Sequence, residues 1–159
     1  LFLIDWLSAA GAKTGIVFTF GENVSDYNQN LPIRFGLGVE FKVYKKILGE
    51  VSYFIEPSYF KHEPFSFAHG ISFLLGYRLG ISKKIDFFGK VGLSYIYSQY
   101  QRIHPEQTYY DIYNWKDWTY HLKGGLSYAA SDQIELLLGL EYQGADVGAV
   151  MFTGLKFNL

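Results

Sequence analysis

The sequence predicts a closed antiparallel barrel of eight long strands that crosses a membrane. Three observations lead there. Apolar and polar residues alternate over unusually long runs, the charges in those runs share one parity, and the connections alternate between short and long. Alternation at period two is the signature of a strand with two unlike faces. Aromatic residues make up 19% of the chain, a bias that suits a pleated surface better than a helix.

Eight runs follow from residue 11 onward: 12–21, 32–44, 50–60, 68–81, 87–102, 117–130, 134–143 and 148–159. Most reach ten residues or more. Soluble strands centre on about 5–6 residues, whereas a tilted membrane-crossing strand needs roughly 9–11. The segments 45–49, 82–86 and 131–133 are short, and 22–31, 61–67, 103–116 and 144–147 lie between them as the loops of the other end. Tight turns at one end and loops at the other are the habit of membrane barrels, and an even strand count brings both termini to the short-turn side. Pro57 interrupts the third run and predicts a bulge or a place near the rim.

One parity is apolar. It carries Ile33, Phe35, Leu37, Val39, Phe41 and Val43 in the second run and Ile134, Leu136, Leu138, Leu140 and Tyr142 in the seventh. The other parity holds Arg34, Glu40, Lys42, Glu56, Arg78, Lys90, Arg102, His121, Lys123, Glu135, Glu141 and Lys156. A one-residue slip would turn these charges to lipid at roughly 2–4 kcal/mol for each Lys or Arg near the midplane, so the register is tightly specified. A soluble ligand-binding barrel would carry its charges outside instead. Two aromatic bands argue for lipid: Tyr53, Tyr77 and Tyr128 toward the short turns, and Tyr59, Tyr97, Trp118, Tyr120 and Tyr142 toward the loops. The lumen is then a plug in which Arg34, Glu40, Lys42, Glu56, Arg78, Lys90, Lys123, Glu135 and Glu141 form an interior charge network.

Other classes recede. The net charge of −1 and the lack of any basic block give no footprint for nucleic acid. The chain has no Cys, which excludes disulfides and thiolate chemistry. No cofactor or metal is expected, since Asn23, Asp26, Asn28 and Asn30 lack the spacing of a calcium loop. Residues 1–10 form an apolar segment, read either as the remnant of a signal peptide or as an interfacial segment; 11–159 form the barrel.

The final strand ends Gly154-Leu155-Lys156-Phe157-Asn158-Leu159. Gly154, Phe157 and Leu159 resemble the C-terminal assembly signal of outer-membrane barrels, although Leu159 stands where Phe is commoner. With eight strands, 11–159 resembles the small barrels typified by outer-membrane proteins A and X. That resemblance implies an outer-membrane location with periplasmic termini, contact with lipid and lipopolysaccharide, and insertion by the barrel-assembly machinery. It implies no single activity, because this fold hosts structural proteins, adhesins and lipid-modifying enzymes.

Two functional readings follow. The first is a non-enzymatic structural or interaction subunit, possible partners being another outer-membrane or an extracellular protein. Its contact residues are Tyr109, Tyr110, Tyr113 and Trp115 of the third loop, where exposed aromatics are typical of interfaces. The second is an acyl hydrolase or acyltransferase acting on membrane lipid, with a loop-level site around His62, Ser66 and His69; His104 with Glu106 opens the third loop. The lipid A deacylase pattern, His and Ser two apart before Asn-Ala-Gly, is replaced here by Glu141-Tyr142-Gln143-Gly144-Ala145-Asp146, which weakens it.

Overall fold

The computed structural model describes residues 14–24, 33–60, 63–103, 110–144 and 148–159. They form eight strands: β1 (Thr14–Asn23), β2 (Ile33–Tyr44), β3 (Ile47–Phe60), β4 (Glu63–Gly80), β5 (Ile85–Ile103), β6 (Tyr110–Ala129), β7 (Ile134–Gln143) and β8 (Gly148–Asn158). Each pairs antiparallel with its sequence neighbours, and β1 closes on β8 from Gly15↔Asn158 to Asn23↔Val150. Closure removes the sheet edges that would otherwise face lipid with unpaired backbone groups. The N-terminal segment 1–10 lies outside the described residues.

The predicted parity holds around the wall. Leu37, Phe73, Leu93, Leu126 and Leu138 face outward and are exposed, whereas Arg34, Glu40, Lys90, Lys123 and Glu141 are buried in the lumen. Between the aromatic bands no outward position of a described strand carries Asp, Glu, Lys or Arg. A surface of that composition is stable only against hydrocarbon, so the barrel spans a membrane. Inside, Val17, Phe88, Leu137 and Phe152 pack together within the ionic lumen.

The strand ends depart from the sequence reading. Segment 45–49 contracts to a two-residue turn, 45–46, with Lys45 in the left-handed region at φ 43°. For a non-glycine residue that conformation costs on the order of 1 kcal/mol. Because β3 therefore starts three residues earlier than predicted, Tyr53 rises into the upper aromatic band, where its hydroxyl meets His69 Nδ1 at 2.9 Å. At the other end, 61–67 is mostly strand, and the ladder of β5 with β6 continues to Ile103↔Tyr110. The supposed third loop is largely a hairpin. Alternation stops marking strands there because no lipid lies on one side, while the Tyr, Thr and Ile content still favours pairing.

Pro57 occupies a place that tolerates it. The β2–β3 ladder ends at Phe35↔Ile55, so among the described residues Pro57 has a neighbour only on β4, at Phe67, and a register shift follows at Ser58/Phe60. Gly92 is constrained differently. A Cβ there would lie 1.9 Å from the Phe73 carbonyl oxygen across the β4–β5 ladder. Gly92→Ala is therefore expected to lower unfolding free energy by about 1–3 kcal/mol through overpacking, measured by urea titration in vesicles; an unchanged midpoint would show that the wall yields freely.

Candidate functional site

The lumen is organised in levels, set by how high each strand delivers its inward charge. Nearest the short turns, Arg78 donates to Glu135 Oε2 (2.8 Å) and Glu40 Oε1 (3.2 Å), and Lys156 donates to Glu40 Oε1 (2.6 Å). Above them Lys90 bridges Glu40 and Glu50, and Lys123 donates to Glu50 Oε1 at 2.7 Å. Five cations (Arg34, Arg78, Lys90, Lys123, Lys156) thus face five glutamates (40, 50, 56, 135, 141). Pairing of this kind is what allows charge to be buried, since a lone buried ion costs several kcal/mol.

The upper lumen has a second cluster. Arg34 donates from Nε to Glu56 Oε2 (2.7 Å) and from Nη1 to Glu141 Oε1 (2.6 Å), with its guanidinium 4.5 Å over the Phe54 ring. Beside it Ser72, Ser94 and Gln143 gather around His121 Nδ1 at 3.2, 3.0 and 3.1 Å, and His121 Nε2 lies 3.5 Å from Glu141 Oε2. Nucleophile, base and acid are near one another here. Both serines, however, are 0% exposed, so their hydroxyls meet each other and His121 rather than a substrate.

The outer end is asymmetric. β4, β5 and β6 have 18, 19 and 20 residues, against 10 for β1 and for β7. Roughly 9–11 residues cross the membrane, so these three strands continue well beyond it. The β6–β7 ladder begins only at His121↔Gln143, with one further bond from Gly144 N to Tyr120 O at 3.0 Å. Above Tyr120, β6 pairs with β5 alone among the described residues. Among the described residues the raised sheet therefore has an open edge on β6, whereas its edge on β3 carries Pro57, which lacks an N–H donor.

Of the predicted contact residues, the side chain of Trp115 alone is among those described. Trp115 turns inward and packs against Phe54 and Ile96, as a lid on the polar cluster rather than an exposed anchor. Its position in β6 has the parity of Thr119 and His121, both buried. Tyr110 and Tyr113 pair in the backbone with Ile103 and Tyr100; Tyr109 lies outside the described residues, as do His62, His104 and Glu106. His69 faces outward between Tyr53 and Tyr97, whose ring centroids are 5.8 and 5.1 Å from its own. Lys42 has the inward parity but reaches only the mouth, an open vestibule of about 590 Å³ lined also by Leu48, Arg78 and Glu135. It makes no ion pair among the described residues and is exposed at that mouth.

Sequence reading missed Glu50, only 1% exposed, because the third run was begun at that residue. Its parity with Glu56 was the available signal. The meeting of Ser72, Ser94 and Gln143 had no signal, since it depends on which levels the strands bring together.

No family model matches the chain, and no curated protein is significantly similar to it. Solved structures do match. Neisserial surface protein A superimposes with a TM-score of 0.69 at 12% identity, covering 94% of this chain and 97% of that one. The N-terminal β-barrel domain of Pseudomonas aeruginosa OprF gives 0.67 at 14% identity, over 92% and 97%. Ail, the attachment invasion locus protein of Yersinia pestis, gives 0.58 at 13%, over 92% and 95%. The fold is that of the small eight-stranded outer-membrane barrels.

Proposed function

We propose that this protein is a non-enzymatic barrel of the bacterial outer membrane that holds a protein partner through its raised β5–β6 hairpin. The observation that carries the reading is the edge of β6 above Tyr120, which among the described residues has no partner but β5, lies outside the hydrocarbon and is backed by β5 and β4, of 19 and 18 residues. Such an edge offers backbone donors and acceptors that an extended segment of another chain can complete, apart from Trp118 N, which donates to Asp117 Oδ1 at 2.7 Å. Lys116 and Asp117 on this stretch discourage indiscriminate pairing, as charges on natural edges do. On this proposal Tyr109, Tyr110 and Tyr113 also contact the partner. In this reading the termini are periplasmic, the barrel-assembly machinery inserts the chain, and lipopolysaccharide surrounds the outer band. The resemblance of the fold to Ail, whose name refers to attachment and invasion, is compatible with such a role.

Replacing 100–113 by a two-residue turn, which removes the upper part of that edge, is expected to leave the barrel folded and to weaken recovery of the partner from mild-detergent extracts. Alanine at Tyr109, Tyr110 and Tyr113 is expected to weaken recovery. Full recovery with the shortened hairpin removes the proposal.

A further inference from the structure

We infer that the short-turn rim between β2 and β6 binds the headgroups of anionic phospholipids. Lys45, Lys46, Lys83 and Lys84 are all exposed there, on the tips of two neighbouring turns. The turns are tied to the strands beside them: Arg78 N donates to Lys46 O at 3.1 Å, and Ala129 N donates to Lys84 O at 2.8 Å. Among the described residues none of the four makes an ion pair. The nearby Asp86 carboxylate is engaged by Arg78 at 3.5 Å.

Their position points to lipid rather than to a soluble polyanion. Lys45 Nζ lies 5.1 Å from the Tyr44 ring, Lys46 Nζ 6.0 Å from Tyr77, and Lys84 Nζ 6.0 Å from Tyr128. Those rings face outward and belong to the lower aromatic band, so the ammoniums stand at the level where phosphates begin. Val43 and Ile81, both exposed, continue the apolar wall beside them. A long stem along that wall with its charge at the headgroups is the ordinary posture of lysine at an interface.

Turn geometry does not require these charges. In the 81–84 turn, Ile81 N and Ser82 N donate to Ile85 O, while Lys84 N and Ile85 N donate to Ser82 Oγ. The 130–133 turn repeats this bond for bond: Ala130 N and Ser131 N donate to Ile134 O, and Gln133 N and Ile134 N to Ser131 Oγ. One turn carries Lys83-Lys84 where the other carries Asp132-Gln133. The same backbone accepts either pair, so basicity is a property of this arc alone. Lys45 adds to the argument. It keeps a left-handed φ where Asn or Gly would fit more easily.

The equivalence of the turns supplies the test. Lys83→Asp with Lys84→Gln copies the 130–133 turn and should leave the fold intact, checked by unchanged heat-dependent gel mobility. Barrels extracted from vesicles of equal phosphatidylglycerol and phosphatidylcholine are compared by native mass spectrometry for retained lipid. The unaltered barrel is expected to retain phosphatidylglycerol preferentially, and the preference should fall roughly fivefold per unit of charge changed, the Asp at 83 counting twice. Lys116→Gln, which removes a lone lysine 5.3 Å from the Tyr97 ring at the opposite end, should lower it much less. Equal preference in the turn-copy variant, an equal fall with Lys116→Gln, or equally tight binding of soluble polyphosphate by the micellar barrel would each overturn the inference.

Discussion

Replacing Glu50 by Ala is expected to destabilise the barrel by about 3–5 kcal/mol, the loss typical of breaking a buried ion pair. Glu50 accepts from both Lys90 and Lys123 and is almost wholly withdrawn from solvent. Lys90 keeps Glu40 after the change. Lys123 is left over the Phe152 ring at 5.2 Å, with no other ion pair among the described residues. The loss should therefore come mainly from the stranded Lys123 ammonium. Adding Lys123→Met in the Glu50→Ala background should recover more than half of it, which a double-mutant cycle by urea unfolding in vesicles would measure. A single-variant loss below 1 kcal/mol would mean that water reaches this level of the lumen.

Leu138→Arg is expected to cost about 2–4 kcal/mol, because it places a charge on the lipid face near mid-height of β7. Leu138 is 54% exposed and lies in register between Leu126 and Thr153. Ile81→Arg is the companion measurement. Ile81 is more exposed still, at 63%, but sits at the short-turn rim, where the same substitution should cost only about 0–1 kcal/mol. Depth dependence separates a lipid-facing wall from a water-facing one: in water both changes would be close to neutral. Equal small costs at the two positions would contradict the membrane assignment.

Much of this could be read before any coordinates. The seventh run, 134–143, coincides with β7, and the eighth misses β8 by one residue. Both lie where lipid and lumen act on every residue. Legibility fails above the membrane, where β6 begins at Tyr110 rather than residue 117. There neither face is constrained to be apolar, so a strand and a loop look alike in sequence. The same failure assigned Trp115 to a contact surface. Aromatic content was visible, but direction depends on continuing the β6 register two residues beyond the predicted start at 117.

By itself the sequence determined eight membrane-crossing strands and the sign of each face. The reason is local: every second residue meets hydrocarbon, and a charge misplaced by one position is heavily penalised. Only the closed barrel decided who meets whom. Arg34 finds Glu141 from 107 positions away, Lys156 finds Glu40 from 116, and Trp115 covers Phe54 and Ile96. Such partners are set by strand stagger and by heights around the cylinder, and alternation along one strand carries no information about either.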